Sequence, residues 1–198
     1  MFEDIITSVK TQYEIQESEN NWRDSPFEYI HYLCVDYCGK AGENALNNFL
    51  LRTKKNGLHD WEIEYQGDSN INQKDGTYDI CINKKSKNML GIKTSRIGKN
   101  SSFQHDGLHE NECHAELFLD ITPNYAYLTI VSFSNYSLKD KHPVFGRKPH
   151  LRKNTNNNFK FDLSENSLEK GIESEITIKI QNDTTDEEII TFIKKFIK

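Results

Sequence analysis

Asp75 to Arg96 reads DGTYDICINKKSKNMLGIKTSR, and this stretch decides the fold class. Thr77 to Ile82 is rich in β-branched and aromatic residues, and Met89 to Thr94 is a short apolar run. The polar tetrad Asn83-Lys84-Lys85-Ser86 between them has the composition of a hairpin turn. Two adjacent strands are therefore expected, with Asp79 on the first and Lys93 on the second. A hairpin brings such a carboxylate and such a lysine to one spot at a sheet edge. There the acid can hold Mg²⁺, while the amine orients a water and offsets charge developing on a phosphate.

Working outward, Trp61 to Tyr65 alternates apolar and polar side chains as a strand does. Leu117 to Ile121 and Tyr125 to Phe133 form two more strands around Pro123-Asn124, the second apolar enough to be buried on both faces. Glu175 to Ile180 alternates again, and Thr185 with Glu188 makes a capping box for a last helix packed through Ile189, Ile190, Phe192 and Ile193. On the N-terminal side a helix is expected over Met1 to Glu17, and a second after the capping residues Asp24-Ser25-Pro26. A third is expected over Gly39 to Lys54, where Gly39, Ala41, Gly42 and Ala45 permit close approach to a neighbouring element. Helices, a central run of strands and closing helices predict an α/β fold with a mixed central sheet flanked by helices.

At the Asp79 and Lys93 strands the sequence resembles the PD-(D/E)xK nuclease superfamily, over roughly Gly39 to Phe133. The resemblance implies a restriction-endonuclease-like core in one nuclease-like domain. Residues 1–38 would be N-terminal helices, 39–133 the catalytic core, 134–160 a basic DNA-contacting tract, and 161–198 a C-terminal strand and helix. It further implies Asp79 as metal ligand, the Ile92 carbonyl as a second, and Lys93 as the catalytic lysine. The family motif has Asp or Glu two residues before the lysine, where this chain has Gly91. Three explanations stand: a carboxylate from elsewhere, a minimal site completed by substrate, or an inactive chain, natural or made by a Glu-to-Gly substitution. In related folds the helix before the first core strand often supplies a glutamate, which makes Glu43 the leading candidate for both metal binding and catalysis. Asp75, Glu62 and Glu64 are weaker ones, and Glu112 and Glu116 lie too far along the chain for spacing to place them.

The chain has 198 residues and a net charge of -5, which argues against a uniformly basic nucleic-acid coat, but the bases are clustered. From Ile80 to His105 there is no acid beside six Lys and Arg, and Lys139 to Lys160 sets seven against Asp140 alone. More than half of the 25 bases lie there, so polyanion binding is expected. Candidate DNA contacts are Lys84, Lys85, Ser95, Arg96, Gln104 and His105 near the catalytic strand. In the basic tract they are Arg147, Lys148, Arg152, Lys153 and Asn154, where Arg and Asn can also read base edges. His105, His109 and Cys113 would share a face if their segment were helical, a weak zinc signal with no matching ligand pair elsewhere. Cys34, Cys38, Cys81 and Cys113 show no pairing pattern and fit reduced thiols in a cytoplasm. No apolar run approaches a membrane span. The expectation is a Mg²⁺-dependent, sequence-specific endonuclease of the type II restriction class, leaving a 5′-phosphate and acting as a homodimer on double-stranded DNA. The alternatives are an inactive nucleic-acid-binding domain of the same fold, or a repair or structure-specific nuclease.

Overall fold

The computed structural model describes residues 6, 7, 11, 21–66, 78–98, 100–109, 113–133, 136–153 and 158–197. Of the first expected helix only Ile6, Thr7 and Thr11 are described, all helical, and its other positions lie outside the described residues.

The second expected helix is only a 3₁₀ turn, Glu28–Tyr32. Asp24 sits at φ 59°, in the left-handed region, and Ser25 Oγ is buried without a partner, so neither caps a helix. The turn is held instead by Arg96, whose Nη1 donates to the carbonyls of Ile30 and of Leu33, the latter at 2.8 Å. Helix α1 then runs unbroken from Val35–Lys55, absorbing the end of the second expected helix and all of the third. Asp36 in its first turn and Arg52, Lys54 and Lys55 in its last suit the helix dipole.

Strands β1 (Ile63–Tyr65), β2 (Ile80–Ile82) and β3 (Met89–Arg96) follow, the last two antiparallel across the expected turn. β4 (Ser102–Leu108) leaves the main sheet; β5 (Ala115–Ile121) returns to lie parallel to β3, and β6 (Ala126–Ser132) pairs antiparallel with β5. After β7 (His150–Leu151), β8 (Phe159–Ser164) and α2 (Glu165–Glu173), β9 (Thr177–Ile180) closes the main sheet and α3 (Asp186–Lys194) covers it. The six-stranded order is β1-β2-β3-β5-β6-β9, mixed as expected, and a second sheet has the order β4-β8-β7. The Thr185–Glu188 capping box is present, Glu188 Oε2 accepting from Thr185 N at 2.7 Å.

The main sheet is buried on both faces by different layers. On one, Leu46 and Leu50 of α1 and Ile189, Ile190 and Ile193 of α3 pack on Leu90, Ile92, Leu117, Leu128 and Ile130. On the other, Phe103 of β4, Phe161 and Leu163 of β8 and Leu168 of α2 pack on Phe118, Tyr127 and Val131. Each such buried side chain contributes about 1.5–3 kcal/mol. α1 seats closely on β3 because Gly42 has no side chain: a Cβ there would lie 1.8 Å from Thr94 Oγ1.

Two expectations need correction. The segment from Ser102 to Leu108, weighed as a helix face for zinc, is strand β4, with Phe103 and His105 turned into the second layer. The described part of the basic tract, expected only as a DNA-contacting segment, also packs into the second layer. Leu138, His142 and Phe145 are buried against Phe161, and β7 pairs with β8. The C-terminal part also carries a helix, α2, that the sequence reading did not anticipate. Among the described residues no helix is long and apolar enough to cross a membrane.

Candidate active site

Asp79 stands just before β2, where the β2–β3 ladder ends. Its backbone N–H donates to the Leu90 carbonyl at 2.9 Å, and its Oδ2 accepts from Ile92 N–H at 2.6 Å. The residue thus brackets Gly91, bonded through main chain to the residue before it and through side chain to the residue after.

On the other side of Gly91 lies β5, in the register Gly91↔Glu116 and Lys93↔Phe118. Residues two apart on a strand share a face, so Gly91 and Lys93 look the same way. A Cβ built on Gly91 would lie 2.3 Å from Glu116 Oε2 and within 2.9 Å of all three carboxyl heavy atoms. The Glu116 carboxylate therefore occupies the space into which an acidic side chain at position 91 would project. Glu116 is 4% exposed and its Oε2 has no hydrogen-bond partner. Burial pushes its carboxyl up to about 7, Lys93 and Cys113 pull it down, and Asp79 pushes it further up. Lys93 and Asp79 are thus both near enough to act on the Glu116 carboxyl.

Cys113 completes the group. It is half-buried on the segment entering β5, near enough to the Glu116 carboxyl and the Gly91 backbone for both to act on its thiol. Burial and the adjacent carboxylate hold that thiol well above the ordinary thiol range.

Deeper along the same face of β5, Asp120 Oδ1 lies 2.9 Å from His105 Nε2, and both side chains are fully buried. Burial raises the Asp120 carboxyl and His105 opposes it. The His105 ring stacks on Phe118 with centroids 4.0 Å apart. His105, expected to meet the phosphate backbone, is thus sealed between the sheets as a link from β4 to β5 and cannot reach DNA. Ser95, also an expected contact, is buried and accepts from Gln104 N–H at 3.0 Å, and Arg96 is engaged with the 3₁₀ turn.

The remaining candidates scatter. Glu43 is half-buried on α1 next to Gly42, which touches Thr94; alternation puts α1 on the face of β3 opposite Gly91 and Lys93. The place beside Gly91 belongs to Glu116 instead. Glu62 is exposed beside Lys84, 3.5 Å away, Glu64 accepts from Tyr78, and Asp75 and Glu112 lie outside the described residues. Lys84 and Lys85 project from the β2–β3 turn, and Gln104 is exposed on β4. Arg147 donates to the Asp162 carbonyl, Arg152 lies 3.9 Å from Asp106, Lys148 and Lys153 are exposed, and Asn154 lies outside the described residues.

The chain matches no family model, no curated protein and no solved structure. The site's own geometry has to carry the functional reading. Among the described residues no three His, Cys, Asp or Glu side chains stand together as a finished metal cage. What the site offers a cation is a pair of donors, Asp79 with Glu116 around the Gly91 gap. Two carboxylates suffice for Mg²⁺, which keeps several waters and takes further oxygens from a phosphate substrate. The sequence reading named Glu116 without placing it and gave Cys113 only a weak zinc signal. A signal for the first was present, since Glu116 and Asp120 are the only charges in AELFLDI, and a charge in a strand buried on both faces asks for a reason.

Proposed function

We propose that the chain is a metal-dependent endonuclease of the PD-(D/E)xK kind in which Glu116, from the neighbouring parallel strand, replaces the acid absent at Gly91. The observation that carries this reading is the overlap of the Glu116 carboxylate with the volume an acidic side chain at position 91 would fill. It favours the first of the three explanations, a carboxylate from elsewhere, with Glu116 in the role expected of Glu43.

Asp79, Glu116 and the Ile92 carbonyl would hold Mg²⁺, and the bound ion would supply Lewis-acid stabilisation of charge on the phosphate. The chain's own residues do the rest. Lys93, on the same face as the Gly91 gap, orients the attacking water by hydrogen bonding and offsets negative charge on the phosphate as it builds. Asp79 is fixed by its bond from Ile92 N–H, so one carboxylate oxygen is pre-positioned without a side-chain search. The dry wall formed by Phe118 and the His105–Asp120 pair keeps the Glu116 carboxyl from being solvated away from the gap. Exposed Lys84, Lys85, Lys148 and Lys153 would grip a phosphate backbone, and double-stranded DNA cut by a homodimer is the corresponding substrate and assembly.

Incubation with plasmid DNA and Mg²⁺ tests the reading. The parent should give discrete bands, and Asp79→Ala, Lys93→Ala and Glu116→Gln should each lower cleavage at least 100-fold with DNA affinity largely kept. A parent inert with Mg²⁺ and Mn²⁺ that still binds DNA would make the chain a non-cleaving binder. Arg147→Ala combined with Lys148→Ala should weaken DNA binding and lower the salt slope by about 2, one for each phosphate no longer neutralised. An unchanged slope would remove that tract from the interface.

A further inference from the structure

We infer that the cavity between α1 and α3 is a binding site for a small uncharged amphiphile, an aliphatic alcohol of roughly eight to ten carbons, with its chain on the main sheet and its hydroxyl between Arg52 and Asp186. The site lies on the face of β3 and β5 opposite Gly91, Lys93 and Glu116, so it stands apart from the nuclease reading.

The cavity measures about 300 Å³, with Ile92, Leu117 and Leu128 of the sheet as its floor and Ala45 of α1 and Ile189 of α3 on its sides. Packed interiors hold few voids larger than a water, so a space of this size is no packing defect. Of the side chains that line it, only Arg52, Thr184 and Asp186 are polar. Thr184 Oγ1 is already engaged, accepting from Gln181 N–H at 2.9 Å and donating to the Lys179 carbonyl at 3.4 Å. Water therefore finds few partners there, and an apolar chain finds many. Leu119 points to the same need: it stands in the middle of the central strand β5, on the face of fully buried Leu117, yet is left half-exposed where it lines the cavity. A dry apolar cavity of about 150 Å³ takes one benzene ring, so twice that volume takes a chain of roughly eight to ten carbons.

Charge then chooses the head group. Arg52 Nη2 lies 3.0 Å from Asp186 Oδ1, an ion pair that links α1 to α3 at the rim. Glu188, in the same first turn of α3, is turned back onto Thr185 in the capping box, so the charges that line the cavity are one of each sign. A carboxylate head would compete with Asp186 for the guanidinium, and an ammonium head would compete with Arg52 for the carboxylate. A hydroxyl both donates and accepts, so it can accept from a guanidinium N–H and donate to the carboxylate while the pair stays intact.

The test is titration of the whole chain with 1-octanol, followed by NMR of labelled isoleucine and leucine methyls. The Ile92, Leu117 and Leu128 methyls should shift saturably to one equivalent and show Overhauser contacts to the octanol chain. Octanoate and octylamine should bind at least tenfold more weakly. Asp186→Asn, which keeps an oxygen facing Arg52 but drops the charge, should raise octanoate affinity at least tenfold. Ala45 is exposed at the opening, so Ala45→Leu fills the mouth without entering the packed core. It should weaken 1-octanol binding at least tenfold with the melting temperature unchanged or raised. The contacts read on the parent do not depend on either variant folding. Shifts that do not saturate, contacts confined to other methyls, octanoate binding as tightly as 1-octanol, no gain for octanoate in Asp186→Asn, or parental affinity in Ala45→Leu overturns the inference. Plasmid cleavage plays no part in these readouts, so failure here leaves the nuclease reading standing, and an inert parent that binds 1-octanol leaves this one standing.

Discussion

A glycine and a glutamate on neighbouring strands exchange roles at the centre of this protein. Because the Gly91 Cβ position and Glu116 Oε2 would be 2.3 Å apart, a side chain at 91 and the native carboxylate at 116 exclude each other. Gly91→Glu alone should therefore not improve the site: it crowds two acids into one volume, destabilises the fold by about 1–3 kcal/mol and leaves cleavage reduced. Paired with Glu116→Gly it moves the acid to the strand that carries Lys93 and should recover at least a tenth of the parental cleavage. Plasmid cleavage and urea unfolding of the two singles and the double form a cycle that reads this coupling directly. A double variant no better than Glu116→Gly would show that the two carboxylate positions are not equivalent.

At the scale of elements, the site is shaped by how closely the layers approach. α1 can press on β3 only because Gly42 meets Thr94 without a Cβ. Gly42→Ala should lower stability to urea by about 1–3 kcal/mol despite the gain in helix propensity, since a Cβ 1.8 Å from a hydroxyl forces the helix outward. Thr94→Ala should restore part of the loss, and additive effects of the two would exclude direct contact as the cause. The β2–β3 turn is simpler. Asn83 and Lys84 both have positive φ, 56° and 50°, as the central residues of a mirror-image β-turn require, and Lys85 N–H closes that turn on the Ile82 carbonyl at 3.4 Å. Lys84→Gly suits that backbone better than lysine and removes one base. It should leave stability unchanged or raise it by up to about 1 kcal/mol, while lowering the salt slope of DNA binding by about 1 if this turn meets phosphate. An unchanged slope would take Lys84 out of the interface.

Across the whole molecule two buried groups oppose each other in pH. Burial raises Glu116 from 4.5 to about 7, so the unfolded chain ionises first and stability falls as pH rises from 4.5 to 7. Burial lowers His142 from 6.5 to about 4, so the unfolded chain is protonated first and stability falls as pH drops from 6.5 to 4. Each effect is at most about 3 kcal/mol, and between pH 4.5 and 6.5 their slopes nearly cancel. Glu116→Gln should be more stable than the parent at pH 7.5 without metal, with stability rising between pH 4.5 and 6.5. His142→Asn, which keeps an acceptor for the Val144 and Phe145 N–H groups, should show the reverse slope. Urea unfolding across pH 4 to 8 with chelator present checks both, and parallel curves for all three proteins would refute the assignment.

The sequence by itself determined the features whose causes are local. Alternation placed β1 and β9, apolar runs placed β3, β5 and β6, the polar tetrad placed the turn between β2 and β3, and Thr185 with Glu188 capped the last helix. The same hairpin logic brought Asp79, at the edge of β2, and Lys93 of β3 to either side of Gly91, because β2 and β3 are neighbours in sequence as well as in space. Where partners are distant in the chain, only the tertiary structure decided. β5 pairs with β3 in parallel, which needs a crossover, and the register of that pairing, Gly91 against Glu116, is set by packing on both faces rather than by any turn. That is why Glu116 and Cys113 could not be placed from spacing, and why Glu43, reasonable on its helix, stands on the other face of β3. His105 was misread for the same reason: a histidine between polar residues reads as surface, until the second sheet closes over it and supplies Asp120 and Phe118 as partners.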